Sequence, residues 1–304
     1  MILLAEQLLN GLSFGLLLFL VAAGLTLIFG IMEVINLAHG SLYMSGAYLT
    51  ATVAEKTGSF LLALIVAMLG TAVIALMLEI TLIRQLYRRG PLTQVLATFA
   101  LALIANELVR LIWGAQPLPL DMPAALTGAV ELVPGFFYPA YRLFIIAASL
   151  LVALALYFLI SHTRAGMWLR AGASDRDMAL LMGIPINPLF AGLFALGGAL
   201  CALAGGLIGP LTAVQPGMGE NILILSFVVV VIGGMGSVRG ALAGALLIGM
   251  IDTLGRAFLP ALCREFFSLD IASTLGPALA SILIYVMMAA VLFWKPSGLF
   301  PVKS

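Results

Sequence analysis

The stretch NLAHGSLYMSGAY, residues 36–48, places an amide, an imidazole and two glycines inside an otherwise apolar sequence. Its flanks read IMEVI on one side and LTATVA on the other. Residues 31–54 together have the length of one tilted transmembrane helix, so the polar cluster would lie near the middle of the bilayer. A helix break at that depth is tolerated only where it lines a cavity or is buried in protein.

The composition supports a membrane protein. Of the 304 residues, 63% are hydrophobic and 9% are charged, and the mean hydropathy is +1.21. A soluble domain of this size would have about 25% charged residues. The net charge of +1 and the absence of a basic patch give no indication of nucleic-acid binding. We therefore predict an all-α polytopic membrane protein, with residues 1–304 forming one transmembrane domain.

Apolar segments of about 20 residues mark the candidate spans. They lie near residues 7–29, 31–54, 59–83, 92–113, 141–161, 188–209 and 273–294. Residues 220–255 are ambiguous, because a short apolar run meets the glycine-rich text GGMGSVRG; they form either two half-spans or a re-entrant element and a span. We expect eight or nine crossings, with a discontinuous second span.

Basic residues predict the orientation. Arg84, Arg88 and Arg89 lie in one connection, Arg164, Arg170 and Arg176 in another, and Lys295 and Lys303 in the tail. These segments, including the C-terminus, are expected in the cytoplasm. Residues 114–140 contain no lysine or arginine among them and are expected to form an external loop.

Residues 162–187 form the longest predicted cytoplasmic connection. Asp175 can cap a short helix through Met178 and Ala179, and Gly183 can end it. Such a helix suits the docking of a motor subunit, with Arg164 and Arg170 in the same segment; a plain membrane-surface helix is the alternative.

Two further sets of residues are candidates for function. The first is a substrate path at the polar break, through Asn36, His39, Gly40, Ser41, Tyr43 and Gly46; a half-helix starting near Ser41 would present its amides to a carboxylate. The second is the glycine break Gly233, Gly234, Gly236, Arg239 and Gly240, as a turn lining the path or an interface between two such chains. For each set the alternative is helix packing.

Charged residues within spans suggest function by default. Glu107 and Arg110 are three residues apart, and we favour structural pairing over a coupling-ion role. Glu33 and Glu79 lie near predicted span ends and are expected to reach the membrane surface, and Asp252 lies near the outer end of its segment. A proton- or sodium-coupled carrier needs an unpaired central carboxylate, and none is evident.

The sequence gives little sign of an enzyme. It contains no phosphate-binding GxxxxGK[ST] loop and no HExxH, and its two cysteines and two histidines lie in unrelated contexts. We expect no metal, no cofactor and no ATP binding by this chain itself.

Four motifs resemble one family. They are GLTLIFGIMEVINLAHGSLYMSGAY (24–48), TRAGMWLRAGASDRDMALLMGI (163–184), GGMGSVRGALAGALLIG (233–249) and KPSGLF (295–300). In this order they resemble the inner-membrane permeases of branched-chain amino-acid ABC transporters. The NLAHG motif is similar to the LivH type of subunit rather than to its LivM-type partner.

The resemblance implies an importer subunit with several partners. These would be a second, LivM-like permease, two cytoplasmic ATPases near residues 170–183, and a periplasmic solute-binding protein that meets residues 114–140, with 210–220 as a further contact. The substrate would be a branched-chain amino acid or a relative such as urea, an amide or an aromatic acid. The alternatives are a self-sufficient secondary transporter or channel and, more simply, a membrane scaffold subunit.

Overall fold

The computed structural model describes residues 2–32, 34–87 and 89–300, apart from the side chains of Arg176 and Asp177. Glu33, Arg88 and Lys303, named above for their charge, lie outside the described residues. The helices in chain order are α1 (Ile2–Met32), α2 (His39–Thr57), α3 (Phe60–Leu78), α4 (Arg84–Leu86), α5 (Pro91–Trp113), α6 (Ala140–His162), α7 (Arg164–Ser174), α8 (Arg176–Leu181), α9 (Ile186–Thr212), α10 (Met218–Gly233), α11 (Val238–Cys263) and α12 (Leu269–Trp294).

The prediction of an all-α polytopic protein is confirmed. Among the described residues, seven helical segments are long and apolar enough to cross a membrane: α1, Phe60–Leu86, α5, α6, α9, α11 and α12. Phe60–Leu86 joins α3 to α4 through a π-helical turn, Glu79–Ile83. The number of crossings stays a prediction. Helices α2 and α10 are not among these seven segments, and the length and composition of α10 make it a shorter apolar helix.

The predicted external segment contains the strands. A short β-hairpin pairs β1 (Ala129–Val133) with β2 (Phe136–Pro139) in antiparallel register, through a turn at Gly135. Tyr138 Oη donates a hydrogen bond of 3.0 Å to Asn10 Oδ1 near the start of α1. This end of the bundle, marked by residues 114–139, is called the hairpin end, and the opposite end, marked by residues 162–187, is called the basic end.

Helices α1 and α9 form the centre of the bundle. Both are apolar on all sides and mostly buried, as expected for helices surrounded by protein. Gly24 and Gly197 face each other, and a Cβ on Gly24 would lie 3.0 Å from the Cα of Gly197. Small residues at this crossing let the two backbones approach closely.

Each of the two central helices is followed by a short non-helical segment that leads back into the bundle, where the next helix starts; we call each such segment a return. After α1, residues 34–38 are not helical and α2 starts at His39; after α9, residues 213–217 are followed by α10 from Met218. His39 contacts Val21, eleven residues before the end of α1, so α2 starts about 16 Å from the basic end of α1. Helix α10 starts at the same depth, because Gly219 packs against Gly40.

This arrangement corrects two boundaries. The segment 31–54 is not one kinked helix, because Ile31 and Met32 still belong to α1; the interruption lies at 34–38, and the helix restarts at His39 rather than Ser41. Residues 220–255 resolve into most of α10 and of α11, joined by residues 234–237.

The C-terminal motif closes the basic end of α10. Leu299 N donates to Ile232 O at 2.8 Å and Phe300 N donates to Gly233 O at 3.0 Å. The last carbonyl groups of a helix have no partner within it, and these two bonds supply one. The KPSGLF motif is therefore a structural cap on α10.

Candidate functional site

The polar cluster at the start of α2 is built into the protein interior. Asn36 is fully buried, and its Oδ1 accepts a hydrogen bond of 3.0 Å from Ala38 N, which shapes the turn into α2. His39 is also fully buried, with Nε2 3.2 Å from the carbonyl oxygen of Val21 and 3.0 Å from Cys201 Sγ. His39 thus joins the start of α2 to α1 and α9.

Helix α5 satisfies the backbone of the first return. Ile35 N donates to Gln94 Oε1 at 3.3 Å, and Leu37 N donates to Thr98 Oγ1 at 3.1 Å. Within a membrane, a non-helical backbone needs such partners because no bulk water is available. Gln94 and Thr98 were not predicted from the sequence; their signal is two polar residues one helical turn apart in an apolar span.

The starts of α2 and α10 meet at two glycines. A Cβ on Gly40 would overlap the carbonyl oxygen of Gly219, and a Cβ on Gly219 would overlap that of Gly40. Ser41 follows Gly40 as Glu220 follows Gly219, so the two helices present equivalent positions. We call the set Gly40, Ser41, Asn106, Gly219 and Glu220 the α2–α10 junction.

Asn106 on α5 binds the second return. Its Nδ2 donates to Glu220 Oε1 at 2.9 Å, and its Oδ1 accepts from Gly217 N at 3.0 Å. Glu220 is exposed, and among the described residues it has no ion pair. An exposed carboxylate at this depth would be costly against lipid, so the face suits water or a partner protein.

The junction is closed in this conformation. A cavity of about 20 Å³ is lined by the junction residues together with Leu37, Met44, Ala102 and Leu223. That volume has room for about one water molecule. A solute larger than water could enter here only after α2, α5 and α10 move apart.

The six residues predicted for the substrate path divide into two groups. Ser41 is half-buried at the junction, whereas Asn36, His39, Gly40, Tyr43 and Gly46 are buried in helix contacts. A Cβ on Gly46 would overlap Ala202 of α9. Asn106 and Glu220 were not predicted from the sequence, because a hydrogen bond between residues 114 positions apart leaves no local sequence pattern.

Residues 162–187 form two short helices at the basic end. Asp175 Oδ1 accepts from Met178 N at 2.9 Å and so caps α8, as predicted, and Gly183 with φ 81° follows the helix end. Ala179 is buried, whereas Met178, Leu181 and Met182 expose apolar side chains. Arg164 and Arg170 lie exposed on α7.

The glycine break is a packing point at the same end. A Cβ on Gly233 would overlap Gly240, and one on Gly30 of α1 would overlap Gly236. Gly234, with φ 101°, lies against the C-terminal motif. The Arg239 guanidinium carbon lies 5.7 Å from the centre of the Tyr157 ring.

In the described part of the chain, three carboxylates within helices have arginine partners: Glu79, Glu107 and Asp252. Glu107 and Arg110 pair at 3.1 Å, which confirms the predicted pairing, and Asp252 pairs with Arg256 at 2.8 Å. Cys201 and Cys263 are free and buried. In the part of the chain that the structure describes, no group of three or more His, Cys, Asp or Glu residues could hold a metal ion.

The expectation that Glu79 reaches the membrane surface is wrong. Its side chain is fully buried, pairs with Arg84 at 2.8 Å and accepts from Tyr87 Oη at 2.5 Å. The π-helical turn at Glu79–Ile83 changes the helical phase between Glu79 and these partners, which hydropathy cannot reveal.

Comparison with known proteins identifies the family. Residues 7–292 match the family model described as branched-chain amino acid transport system / permease component. The chain belongs to this family. It is 28% identical over 306 residues to the high-affinity branched-chain amino acid transport system permease protein BraD of Pseudomonas aeruginosa, covering 97% of this chain and 94% of the relative.

The other relatives include permeases named for branched-chain amino acids and for a sugar. The LivH permease protein of the high-affinity branched-chain amino acid transport system of Escherichia coli K12 is 30% identical over 270 residues, covering 84% of this chain and 86% of the relative. The fructose import permease protein FrcC of Rhizobium meliloti is 35% identical over 115 residues, covering 36% and 32%. No solved structure matches the chain. The chain is thus a multi-pass membrane permease of this family.

Proposed function

We propose that this chain is one permease subunit of an ATP-binding-cassette importer in the inner membrane, and that it moves branched-chain amino acids or a related small solute inward. Membership of the permease family over residues 7–292 supports the role. The names of BraD and LivH support the substrate class, and the partial likeness to FrcC is the reason to keep other small solutes open.

The substrate path crosses the α2–α10 junction. The observation that carries this assignment is the exposed Glu220 carboxylate, held by Asn106 at the depth where α2 and α10 begin. Glu220 would attract the ammonium group of an amino acid, and the first amides of α2, beside Ser41, would attract its carboxylate. Both groups of the zwitterion then have a partner on one face.

A second permease subunit completes the path. Leu103, three residues before Asn106 on α5 and so close to the same side of that helix, is also exposed. A related or identical subunit packed on this face would enclose the junction between the two chains. ATP is bound by the partner subunits, and neither a cofactor nor a metal is assigned to this chain.

The basic end faces the cytoplasm. Arg164, Arg170, Arg239 and Lys295 lie there, in agreement with the excess of basic residues in cytoplasmic segments. The C-terminus is then cytoplasmic, α7 and α8 dock an ATPase, and the hairpin end meets the periplasmic solute-binding protein. Val214 bridges Leu118 at the hairpin end, whereas Gly219 and Glu220, part of the segment 210–220 for which the resemblance implies contact with the binding protein, lie at the junction.

A secondary transporter is the second candidate. Glu220 is the specific observation in its favour, because a proton-coupled carrier needs an intramembrane carboxylate without a fixed cationic partner. Such a carrier would transport its substrate without any ATPase.

Affinity purification from native membranes, gently solubilised, separates the two candidates. Mass spectrometry should find a second permease and ATPase subunits with this chain, and uptake by the reconstituted assembly should need ATP. Recovery of this chain alone, with uptake driven by an ion gradient, would overturn the importer assignment.

A further inference from the structure

A long apolar cavity opens at the basic end, apart from the α2–α10 junction. Its volume is about 700 Å³, and it lies between α1, the end of α6, α7 and the start of α11. Its lining includes Phe19, Ile31, Ala153, Tyr157, Arg170 and Arg239.

The depth of the cavity matches one leaflet of a bilayer. Phe19 and Ile31 both line it, and twelve residues of α1 separate them, which corresponds to about 18 Å along the helix. Half of the hydrocarbon core of a bilayer measures about 15 Å. The cavity can therefore accept most of an acyl chain that enters from the basic end.

Two arginines line the same cavity. Arg170 donates from its guanidinium to the carbonyl oxygen of Ile160, and Arg239 lies over the Tyr157 ring. Both side chains are exposed, and neither has an ion pair among the residues that the structure describes. The nearby Asp175 carboxylate instead caps α8 through Met178 N.

The lining favours an anion over a zwitterion. Among the described residues, the lining contains two guanidinium groups and no carboxylate, so the ammonium group of an amino acid would find no counter-charge there. Guanidinium groups bind phosphate oxygens well, and basic pockets between helices at the cytoplasmic face suit anionic lipid head groups.

We propose that this cavity binds an anionic phospholipid of the leaflet at the basic end. One acyl chain lies along α1 between Phe19 and Ile31, and the phosphate lies between Arg170 and Arg239. Binding itself does not depend on the proposed transport function. Where that function holds, the lipid joins α7, which precedes the proposed ATPase-docking helix α8, to α1 and α11.

Native mass spectrometry of the full-length chain tests the head group. The chain is transferred into mixed micelles with equal amounts of dioleoyl phosphatidylglycerol and dioleoyl phosphatidylethanolamine. We expect retention of one phosphatidylglycerol, and a loss of about fivefold in its affinity for each of Arg170→Gln and Arg239→Gln. Arg164→Gln, an exposed arginine of α7 outside the cavity, is the matched control and should change nothing.

A second variant tests the acyl-chain part. Ala153→Trp puts an indole into the cavity without changing its charge, and it should lower retention of phosphatidylglycerol while the melting temperature stays near that of the parent. Equal retention of both lipids would overturn the proposal. So would unchanged retention of phosphatidylglycerol in a variant that combines Arg170→Gln and Arg239→Gln. So would displacement of phosphatidylglycerol by inorganic phosphate, which would indicate an anion site without a chain, or by ATPase subunits, which would indicate a protein-binding groove.

Discussion

Asn106 holds Glu220 at the start of α10, with 2.9 Å between the amide nitrogen and the carboxylate oxygen. The same amide accepts the Gly217 backbone N–H, so one side chain of α5 fixes both the start of α10 and its acidic residue. Asn106 therefore couples the backbone of residues 213–217 to the Glu220 carboxylate, which we assign to the substrate path.

Replacement of Asn106 should reduce transport more than it reduces stability. Asn106→Leu removes a hydrogen bond to a charged group, worth about 1.5–3 kcal/mol, and Glu220 then loses its fixed position. We expect uptake by the reconstituted assembly to fall about tenfold or more.

Leu108→Ala is the control for that variant, because Leu108 is exposed on the same helix and outside the junction. It should retain the parent uptake rate. If Asn106→Leu and Glu220→Gln both transported at the parent rate with normal expression, Glu220 would not belong to the path.

Methyl groups at the glycine contact should disrupt the fold. Gly40→Ala and Gly219→Ala each place a Cβ on a carbonyl oxygen of the facing helix, and overpacking of this kind costs about 1–3 kcal/mol. The midpoint of thermal unfolding in detergent should fall for both. Gly192→Ala of α9 is the control, because nothing lies within 4 Å of its Cβ position; a fall of the same size there would refute the contact.

Loss of the buried carboxylate should destabilise the chain. Glu79→Ala removes the partner of Arg84 and an acceptor of the Tyr87 hydroxyl, and we expect a cost of about 1–3 kcal/mol, since Arg84 can still reach water. Glu107→Ala breaks the exposed pair with Arg110 and should cost less than about 1 kcal/mol. Thermal unfolding of both variants checks this order, and equal losses would contradict the burial of Glu79.

The C-terminal cap depends on the backbone of Gly298. Its φ is 84°, and a Cβ there would lie 2.5 Å from Gly234, so Gly298→Ala adds a clash to backbone strain. Gly135→Ala, with φ 83° and open space around it, adds the strain alone. We expect the larger fall in unfolding temperature for Gly298→Ala; equal falls would show that the cap contributes nothing.

An exposed apolar side chain on α8 tests the docking assignment. Leu181 is 83% exposed, so Leu181→Asp should leave the folded chain intact. It should greatly reduce the ATPase recovered with the chain and the ATP-dependent uptake. Unchanged recovery of the ATPase would place its binding surface elsewhere.

Hydropathy located most of the helices because a membrane span needs a long apolar run. The predicted spans 92–113 and 141–161 differ by a residue or less at each end from α5 and α6. The end of α1 was misplaced because Ile31 and Met32 are as apolar as the residues of a following span. Helix α8 could be predicted from its cap, because the hydrogen bond from Met178 N to Asp175 Oδ1 joins residues only three positions apart.

Long-range contacts could not be predicted in the same way. Asn106 meets Glu220, and Gly40 meets Gly219, only because two returns bring distant segments to one depth. The sequence singled out Asn36 and His39 for their polarity, but polarity alone does not distinguish a buried joint from a surface on a path. Of the predicted path residues, Gly40 and Ser41 lie at the junction, and Ser41 is the one of the two that is partly exposed there.

Accessibility of Ser41 to a water-soluble reagent tests the central claim most directly. Ser41→Cys, in a chain whose Cys201 and Cys263 are replaced by alanine, is treated with a charged methanethiosulfonate in the reconstituted assembly during ATP-driven uptake. We predict that it is modified and that uptake is then blocked, whereas Leu111→Cys, on an exposed apolar face of α5, is not modified. A Ser41→Cys assembly that transports at the parent rate and is never modified would contradict a path through the α2–α10 junction.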